Sequence, residues 1–545
     1  MPQSLPVIRR TAAEILAAAV LQLYPDAKLI GGGLTPIGFT YAFVLPRSID
    51  EKAIFPIASA VERIIAGDVP IQSREMMREN AVEFLHHHRQ PYLAKAIANF
   101  PANIVSLLQI EEYFGCCQPP YLSSTQEAGA CKILTITQEK EALDGDSKEV
   151  VVTYIEGTAF PEKKLLKEFL KKWGRAKKKD HQKLGPALDL VCQQEGVDPG
   201  CWSWLPKGET IKRILIDWWT GRHLAQGYQF LSTPGPLYAV NHARLFNAKG
   251  FSYEELPVKY AEIAQTQLPV SSHRLCGMLR SRLVTADYTH LFCEKNQGSK
   301  EIISSLLFFK KMIKLFDVDH RWYLVSSTQE GKRKTESQDV GLLAKALRES
   351  QIDYCHDPIQ AAGEGPRIEL RLQDSLGSEW RGPTIEISGL AGRMGLCYRG
   401  SDDGRHNPLM IGRCCFGTLE RFFAILVEQY AGLFPLWLAP EQVRVIPIKE
   451  VHRRYAKEVS AQLQKRGVRV GIEEKHETVA AKVYAAEQAK IPYLVIVGDA
   501  EEKEGTIAIR TKQGRRRVES MEAFLTNFQR VMSASNAKFG DDHAI

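Results

Sequence analysis

The chain has 545 residues, 44% hydrophobic and 25% charged, too long for one compact core and consistent with two to four globular domains. Its 71 basic and 64 acidic residues leave a formal net charge of +7, a mild excess that admits a nucleic-acid partner without demanding one. No apolar run is long enough to span a bilayer, Met1–Arg10 does not follow the signal-peptide pattern, and the eleven cysteines form no disulfide framework and no CxxC; a cytoplasmic protein with no membrane partner is expected.

Alanine and leucine at helical spacing predict a helix over Thr11–Leu23, stopped by Tyr24-Pro25-Asp26. Strands follow around Lys28–Ile30 and Phe39–Leu45, with Gly31-Gly32-Gly33 as a turn, and a second helix covers Glu51–Ala66. The charged stretch Gln138–Glu149, with Asp144-Gly145-Asp146, reads as a loop. Glu162–Lys183 is very basic, with Lys171-Lys172 and Lys177-Lys178-Lys179; its plainer reading is a solvated helix face between domains, its functional one a phosphate-contacting stripe. Leu205–Gly208 predicts a turn, and a long amphipathic helix runs on to Tyr228. Strand and loop patterns dominate from there to about Ala439, and Pro435–Pro440 reads as a linker. Beyond it, Val443–Ile448, Val468–Ile472, Leu494–Val497 and Thr506–Ile509 alternate with helical segments, which predicts a small parallel-type α/β domain.

Five stretches, in order, resemble bacterial-type threonyl-tRNA synthetases: Tyr154–Pro161, Lys179–Gly185, Trp204–Gly208, Gly417–Phe422 and Phe434–Pro440. The resemblance runs from about Arg9 to Phe528. It implies an α+β multidomain chain: an editing-like α+β domain (1–160), a helical linker (161–200), a class II antiparallel-sheet core (201–438), a C-terminal α/β anticodon-binding domain (439–535) and a tail (536–545). Pro234 resembles the proline that closes the family's first motif, which implies a homodimer.

The site residues depart from the family. Its zinc ion is held by one cysteine and two histidines, and it rewards the threonine hydroxyl that an apolar pocket distinguishes poorly. The cysteine falls on Ala239, the first histidine on His290 and the second on Gly412; a single ligand cannot hold catalytic zinc, so zinc is not expected as a cofactor. The arginine that clamps the ATP α-phosphate falls on Leu268, and the glutamate two positions later on Val270. The adenine-stacking aromatic falls on Val284. The aspartate that takes the substrate amine falls on Tyr288, beside Asp287, and the nearby glutamine on Ala286. Leucine cannot replace a bidentate guanidinium. Arg280 and Arg421 match arginines of the second and third motifs, while Arg381, Thr384 and Glu386 lie on a strand similar to one in the family. Arg421 reads equally as a structural salt bridge to a neighbouring acid or as residual nucleotide or anion binding.

In the editing-like domain, the family's two helix histidines fall on Arg10 and Glu14 and its last histidine on Tyr121, with only Cys117 kept. His86-His87-His88 reads as a solvated run, because adjacent residues on one element point apart. In the C-terminal domain, Glu501 and Arg510 match the pair that reads anticodon bases, a chemistry suited to unstacked single-stranded loops, and Tyr484 stands where an arginine is usual. The leading expectation is a pseudo-synthetase with no catalytic residues of the usual kind, holding tRNA, a tRNA-like RNA or a protein partner. The alternatives are an ATP-dependent enzyme with an altered acyl substrate, using Arg280, Arg381 and Arg421 as a rebuilt anion clamp, or a divergent threonine-tRNA ligase.

Overall fold

Pro6 sits in the first turn of α1 (Leu5–Leu23), where its missing N–H breaks no helical bond. The computed structural model describes residues 4–116, 119–143, 149–270, 274–326, 334–358, 365–511 and 514–540, so Cys117 and Asp144–Asp146 lie outside the described residues. Two units separate, Met1–Arg175 and Ala176–Ile545.

In the first unit, α1 lies across β1 (Lys28–Leu34), β2 (Phe39–Val44) and, from later in the chain, β7 (Glu149–Phe160). With β6 (Ala130–Ala142) these strands form an antiparallel sheet ordered β1-β2-β7-β6. Gly31–Gly33 belongs to β1 rather than to a turn, and a bulge at Leu29/Gly31 absorbs the irregularity. The helix α2 (Ile54–Ala66) follows a short 3-10 turn. A second sheet of β3 (Gln72–Met77), β4 (Ile104–Ile110) and β5 (Tyr113–Gly115) carries α3 (Arg78–His87) and α4 (Pro91–Ala98). His86, His87 and His88 are all exposed at the end of α3. The helix α5 (Lys163–Ala176) closes the unit.

The second unit begins with α6 (His181–Ala187), the short pair β8 (Val191–Cys192) and β9 (Ser203–Trp204), and α7 (Pro206–Ala225). Its main sheet has eight strands. In chain order these are β10 (Gln229–Phe230), β11 (Val258–Gln267), β12 (Leu283–Cys293), β13 (His320–Ser326), β14 (Cys355–Pro358), β15 (Arg367–Gln373), β16 (Glu379–Ile387) and, after the small hairpin β17 (Tyr398–Arg399) and β18 (Arg405–His406), β19 (Leu409–Cys414). They are ordered β10-β11-β12-β19-β16-β15-β13-β14, antiparallel except at the two edges. The segment read as strand and loop also holds the helices α8 (Tyr238–Lys249), α9 (Gly298–Phe316), α10 (Lys334–Glu349), α11 (Leu390–Arg393) and α12 (Leu419–Tyr430). α12 is buried on nearly every side and so hides the one-face periodicity that marks a surface helix, whereas α9 is amphipathic, with Lys300, Ser304, Lys311 and Lys314 exposed opposite its buried face. Ile302, Leu306, Phe309, Met312 and Phe316 are all at most 1% exposed, each contributing about 1.5–3 kcal/mol by burial.

The C-terminal sheet joins β20 (Val443–Pro447), β21 (Val470–Ile472), β22 (Tyr493–Val497), β23 (Thr506–Thr511) and β24 (Arg516–Ser520) in the order β21-β20-β22-β23-β24, with α13 (Arg453–Lys465), α14 (Val479–Gln488), α15 (Asp499–Glu504) and α16 (Met521–Gly540). It is mixed rather than parallel: β20 runs parallel to β21 and β22, but β23 and β24 return antiparallel. The short α15 between β22 and β23 is followed by Gly505 at φ +65°, where the chain reverses too tightly for a crossover.

Candidate functional site

Period-two alternation gives the main sheet two unlike faces. Ile411, Ile385, Ile387, Leu291 and Ile368 point into the hydrophobic core with α9 and α12. Cross-strand pairing brings His290 opposite Gly412, Gly412 opposite Glu386, and Thr384 opposite Cys414 and Glu369. His290, Gly412, Glu386, Thr384 and Tyr288 therefore share the other face.

On that face a buried polar chain ends at His290. The N–H and hydroxyl of Thr233 donate to Glu262, at 2.6 and 2.7 Å, and His242 Nε2 donates to the same carboxylate at 3.1 Å. His242 Nδ1 lies 2.9 Å from His290 Nδ1. With Nε2–H of His242 given to Glu262, His242 Nδ1 accepts from His290, and His290 keeps an unprotonated Nε2. A Cβ at Gly412 would lie 3.9 Å from that nitrogen. Burial, then the neighbouring His242, pulls the His290 pKa down to about 3, so the ring is neutral. Ala239 lies one helical turn before His242 on α8 and packs, half-buried, with the Phe246 cluster. Neither Ala239 nor Gly412 offers a ligand atom.

Tyr288 stacks on Tyr238 with ring centroids 4.3 Å apart. Asp287 is turned away from it. Its carboxylate is 2% exposed and accepts from Trp219 Nε1 at 3.2 Å and from the N–H groups of Cys415 and Phe416 at 2.6 and 3.0 Å. Its proximity in sequence therefore brings no carboxylate into the pocket. Leu268 and Val270 follow β11 and are half-buried; their backbone holds Arg282, through Leu268 N–H to Arg282 O at 2.7 Å and Arg282 Nε to Val270 O at 2.7 Å.

Arg280, Arg381 and Arg421 do come together. The guanidinium carbons of Arg280 and Arg421 lie 5.3 and 5.9 Å from the centre of the Trp380 ring. Arg421 donates to the carbonyls of Leu279 and Arg381, each at 2.8 Å. Among the described residues no carboxylate stands within 4.0 Å of Arg421 or Arg280, so the salt-bridge reading of Arg421 is corrected: its partners are backbone oxygens. Burial, then Arg280 and Arg381, pulls the Arg421 pKa down to about 10, as expected where cations crowd without a counter-ion. Arg381 alone touches an acid, Glu369, at 3.4 Å. Burial pushes Glu369 upward, but Arg367, Arg381 and Arg371 outweigh it and hold the carboxyl below its usual range. Thr384 turns its hydroxyl to Gly382 O at 3.1 Å. Sequence reading did not single out Trp380, Glu369 or His242; the Arg367-Glu369-Arg371 spacing of two, which puts all three on one strand face, was the available signal.

The loop bearing Arg280 is anchored from below. Met278 N–H donates to His181 Nε2 at 3.0 Å, and His181 Nδ1 donates to Glu428 of α12 at 2.7 Å. His181, Asp180 and Glu428 are near enough to suggest a metal cluster, but both His181 nitrogens are engaged in these bonds.

In the first unit, Glu14 is buried and accepts from Tyr113 Oη at 2.5 Å, which in turn lies 3.2 Å from Tyr41 Oη. Arg10 and Tyr121 are half-buried. In the C-terminal sheet, Glu501 and Arg510 are not paired with each other. Glu501 caps its own helix, accepting from Gly498 N–H at 2.9 Å, while Arg510 pairs with Glu487 of α14 at 2.6 Å. Arg510 lines a cavity of about 790 Å³ with Val483, Tyr484, Glu487, Arg516, Arg517 and Val518, in which Tyr484 is 63% exposed.

Comparison with known proteins accounts for this plan. Residues 234–430 match the model of the class II tRNA synthetase core domain (G, H, P, S and T), and residues 442–529 that of the anticodon binding domain. The chain is 32% identical over 553 residues to a threonine–tRNA ligase of Dehalococcoides mccartyi, covering 94% of each, and 32% identical over 561 residues to that of Rubrobacter xylanophilus, covering 95% of the chain and 87% of the relative. Among solved structures, the RNA binding domain of threonyl-tRNA synthetase from Cryptosporidium parvum superposes with TM-score 0.62 at 24% identity, over 65% of this chain and 98% of that one. A putative threonyl-tRNA synthetase from Aeropyrum pernix gives 0.56 at 20%, over 66% and 96%; these two likenesses speak for the fold alone. By its identity to the ligases over nearly its whole length, the chain belongs to the threonyl-tRNA synthetase family.

Proposed function

We propose that this member of the family holds tRNA through its C-terminal domain, as a cytoplasmic homodimer, without zinc-dependent threonine activation or hydrolytic editing. One observation carries the reading: His290 faces Gly412 across the sheet, and the only carboxylate beside Tyr288 in sequence, Asp287, is spent on the core side. The donor set does not fit a zinc ion, and Tyr288, stacked on Tyr238, cannot hold an ammonium as an aspartate does. The exposed Leu224, Phe230 and Leu237, beside the edge strand β10, support a second copy as partner, which sedimentation would test. No helix among the described residues is long and apolar enough to cross a membrane. A divergent threonine–tRNA ligase fits the comparisons equally, and threonine-dependent pyrophosphate exchange separates the two: none is expected, and robust exchange overturns the proposal.

The arginine cluster favours a second reading, an ATP-dependent enzyme with another acyl substrate. Arg280 and Arg421, without acids and lying against Trp380, suit a polyphosphate. Nucleotide binding measured by calorimetry tests it. Binding of ATP that is lost in Arg421→Ala supports this reading, and no binding at millimolar ATP removes it.

A further inference from the structure

The positive charge of this protein is concentrated in one segment. Pro161–Lys179 contains nine basic residues and two acidic ones, an excess of seven, which equals the formal net charge of the whole chain, +7; the rest of the sequence is balanced. Most of the segment is α5. Lys163, Lys167, Lys171 and Arg175 follow one another at intervals of four, so they lie along one helix face, spanning about 18 Å at 1.5 Å per residue. Lys164 and Lys172 flank that line. All six are exposed, and among the described residues none of the six has a carboxylate within 4.0 Å. Elsewhere the chain neutralises many of its cations: Lys207, Lys259, Arg282, Arg371 and Arg444 are all paired with acids.

The apolar face of α5 is largely occupied, its Leu166, Phe169, Leu170 and Trp173 half-buried. Phe169 packs on Phe160 at the end of β7, ring centroids 5.2 Å apart, and Arg9 of α1 lies over the same Phe160 ring at 5.2 Å. A helix that binds a lipid surface must insert its apolar face; here Phe169 is engaged with the protein, and Leu165, 39% exposed, is the one large apolar side chain of α5 left outward beside the cationic face. An unpaired row of cations with a single exposed leucine beside it suits a regular, strongly charged polyanion better than a membrane surface. Duplex DNA presents one phosphate per about 3.4 Å of axis along each strand, and an A-form RNA stem spaces them at least as closely along its axis, so a face about 18 Å long can meet several phosphates of one strand.

We propose that α5 is a sequence-independent contact for the phosphate backbone of an RNA stem, separate from the C-terminal groove. The inference rests on the tRNA-binding reading above and adds a second footprint to it: the groove around Arg510 and Tyr484 meets unpaired bases, and α5 meets a paired stem. Such a contact contributes affinity and orientation but no sequence preference.

The test is binding of a transcribed tRNA with a threonine anticodon to the full chain over a salt series, with a variant carrying Lys163→Gln, Lys167→Gln, Lys171→Gln and Arg175→Gln. Glutamine preserves helix propensity, the four side chains are exposed, and unchanged thermal unfolding checks the fold. A second variant, Lys163→Arg with Lys167→Arg and Lys171→Arg, keeps the charge and should bind as the parent does. The glutamine variant should bind about 10- to 100-fold more weakly at moderate salt, and its log–log salt slope should fall by about 3. An unchanged slope and affinity would overturn the α5 contact while leaving the C-terminal groove as the reader. Absence of binding by the parent even at low salt would overturn the tRNA reading together with this one.

Discussion

His181 and Glu428 are bonded at 2.7 Å, and the direction of that bond is fixed by a third group. Because Met278 N–H donates to Nε2, the proton of the neutral ring must sit on Nδ1, facing the carboxylate. One histidine thus ties α6 to α12 and to the loop that carries Arg280. Substituting His181→Ala removes the imidazole partner of the buried Glu428 and leaves it the N–H of residue 181 at 3.4 Å and Ser375, whose N–H donates at 3.0 Å. A loss of about 2–3 kcal/mol is expected, read from the urea midpoint, with any nucleotide affinity falling as the loop loosens. A midpoint unchanged from the parent would show the latch to be incidental.

Burial sets the pH response of the first unit. Glu14 is raised from 4.5 to about 7, burial outweighing the Tyr113 hydrogen bond. The folded state therefore holds this proton more tightly than the unfolded state does. Its contribution is fully present below about pH 4.5 and is lost as pH rises through about 7, a change of about 3 kcal/mol. Glu14→Gln should flatten unfolding stability over that window and raise it at pH 8. A slope identical in both proteins would place the titration elsewhere.

Gly412, the position on which the resemblance places the family's second metal-binding histidine, leaves room for a side chain. A Cβ there meets His290 Cδ2 at 3.7 Å, His290 Nε2 at 3.9 Å and Glu386 O at 4.0 Å, ordinary contact distances. The double variant Ala239→Cys, Gly412→His should therefore fold and acquire stoichiometric zinc by elemental analysis, completing three ligands with His290. The parent should purify with substoichiometric zinc in the same buffer; one zinc per parent chain would mean another donor set exists.

Tyr484 projects into the groove beside Arg510, with 63% of its surface exposed. An exposed ring there is a stacking platform for an unpaired base, worth about 1–3 kcal/mol. Tyr484→Ala should weaken binding of a threonine-anticodon stem–loop about tenfold, and Tyr484→Phe should not. Equal affinities for the alanine variant and the parent would remove the ring from the interface.

The family fold was legible because its scaffold segments persist in order; that His290 on β12 stands opposite Gly412 on β19 is a cross-strand relationship that came from the structure. What the sequence hid was direction. Asp287 looked available because it adjoins Tyr288, yet in a strand adjacent residues face opposite ways. Arg421 was open to a salt-bridge reading because no spacing rule reveals that a guanidinium will end on the carbonyls of Leu279 and Arg381, residues 142 and 40 positions away. Glu501 and Arg510 are close in sequence, but the cap on α15 takes one and α14 the other. α12 carries little of the polar–apolar rhythm that identifies helices from sequence because it is buried on nearly every side; α9 does carry that rhythm, with Lys300, Ser304, Lys311 and Lys314 opposite its buried Ile302, Leu306, Phe309 and Phe316.

The commitment of Asp287 also limits how this protein could change. Drawing its carboxylate to the other side of β12 would require sliding the strand by one residue, which would drive Tyr288 and His290 into the core and expel Thr289 and Leu291. It would also strip the acceptor from Trp219 and from the two backbone N–H groups at the end of β19. The carboxylate of Asp287 therefore cannot be recruited to the pocket face by motion of β12; an acid at that point of the strand would have to replace Tyr288 itself.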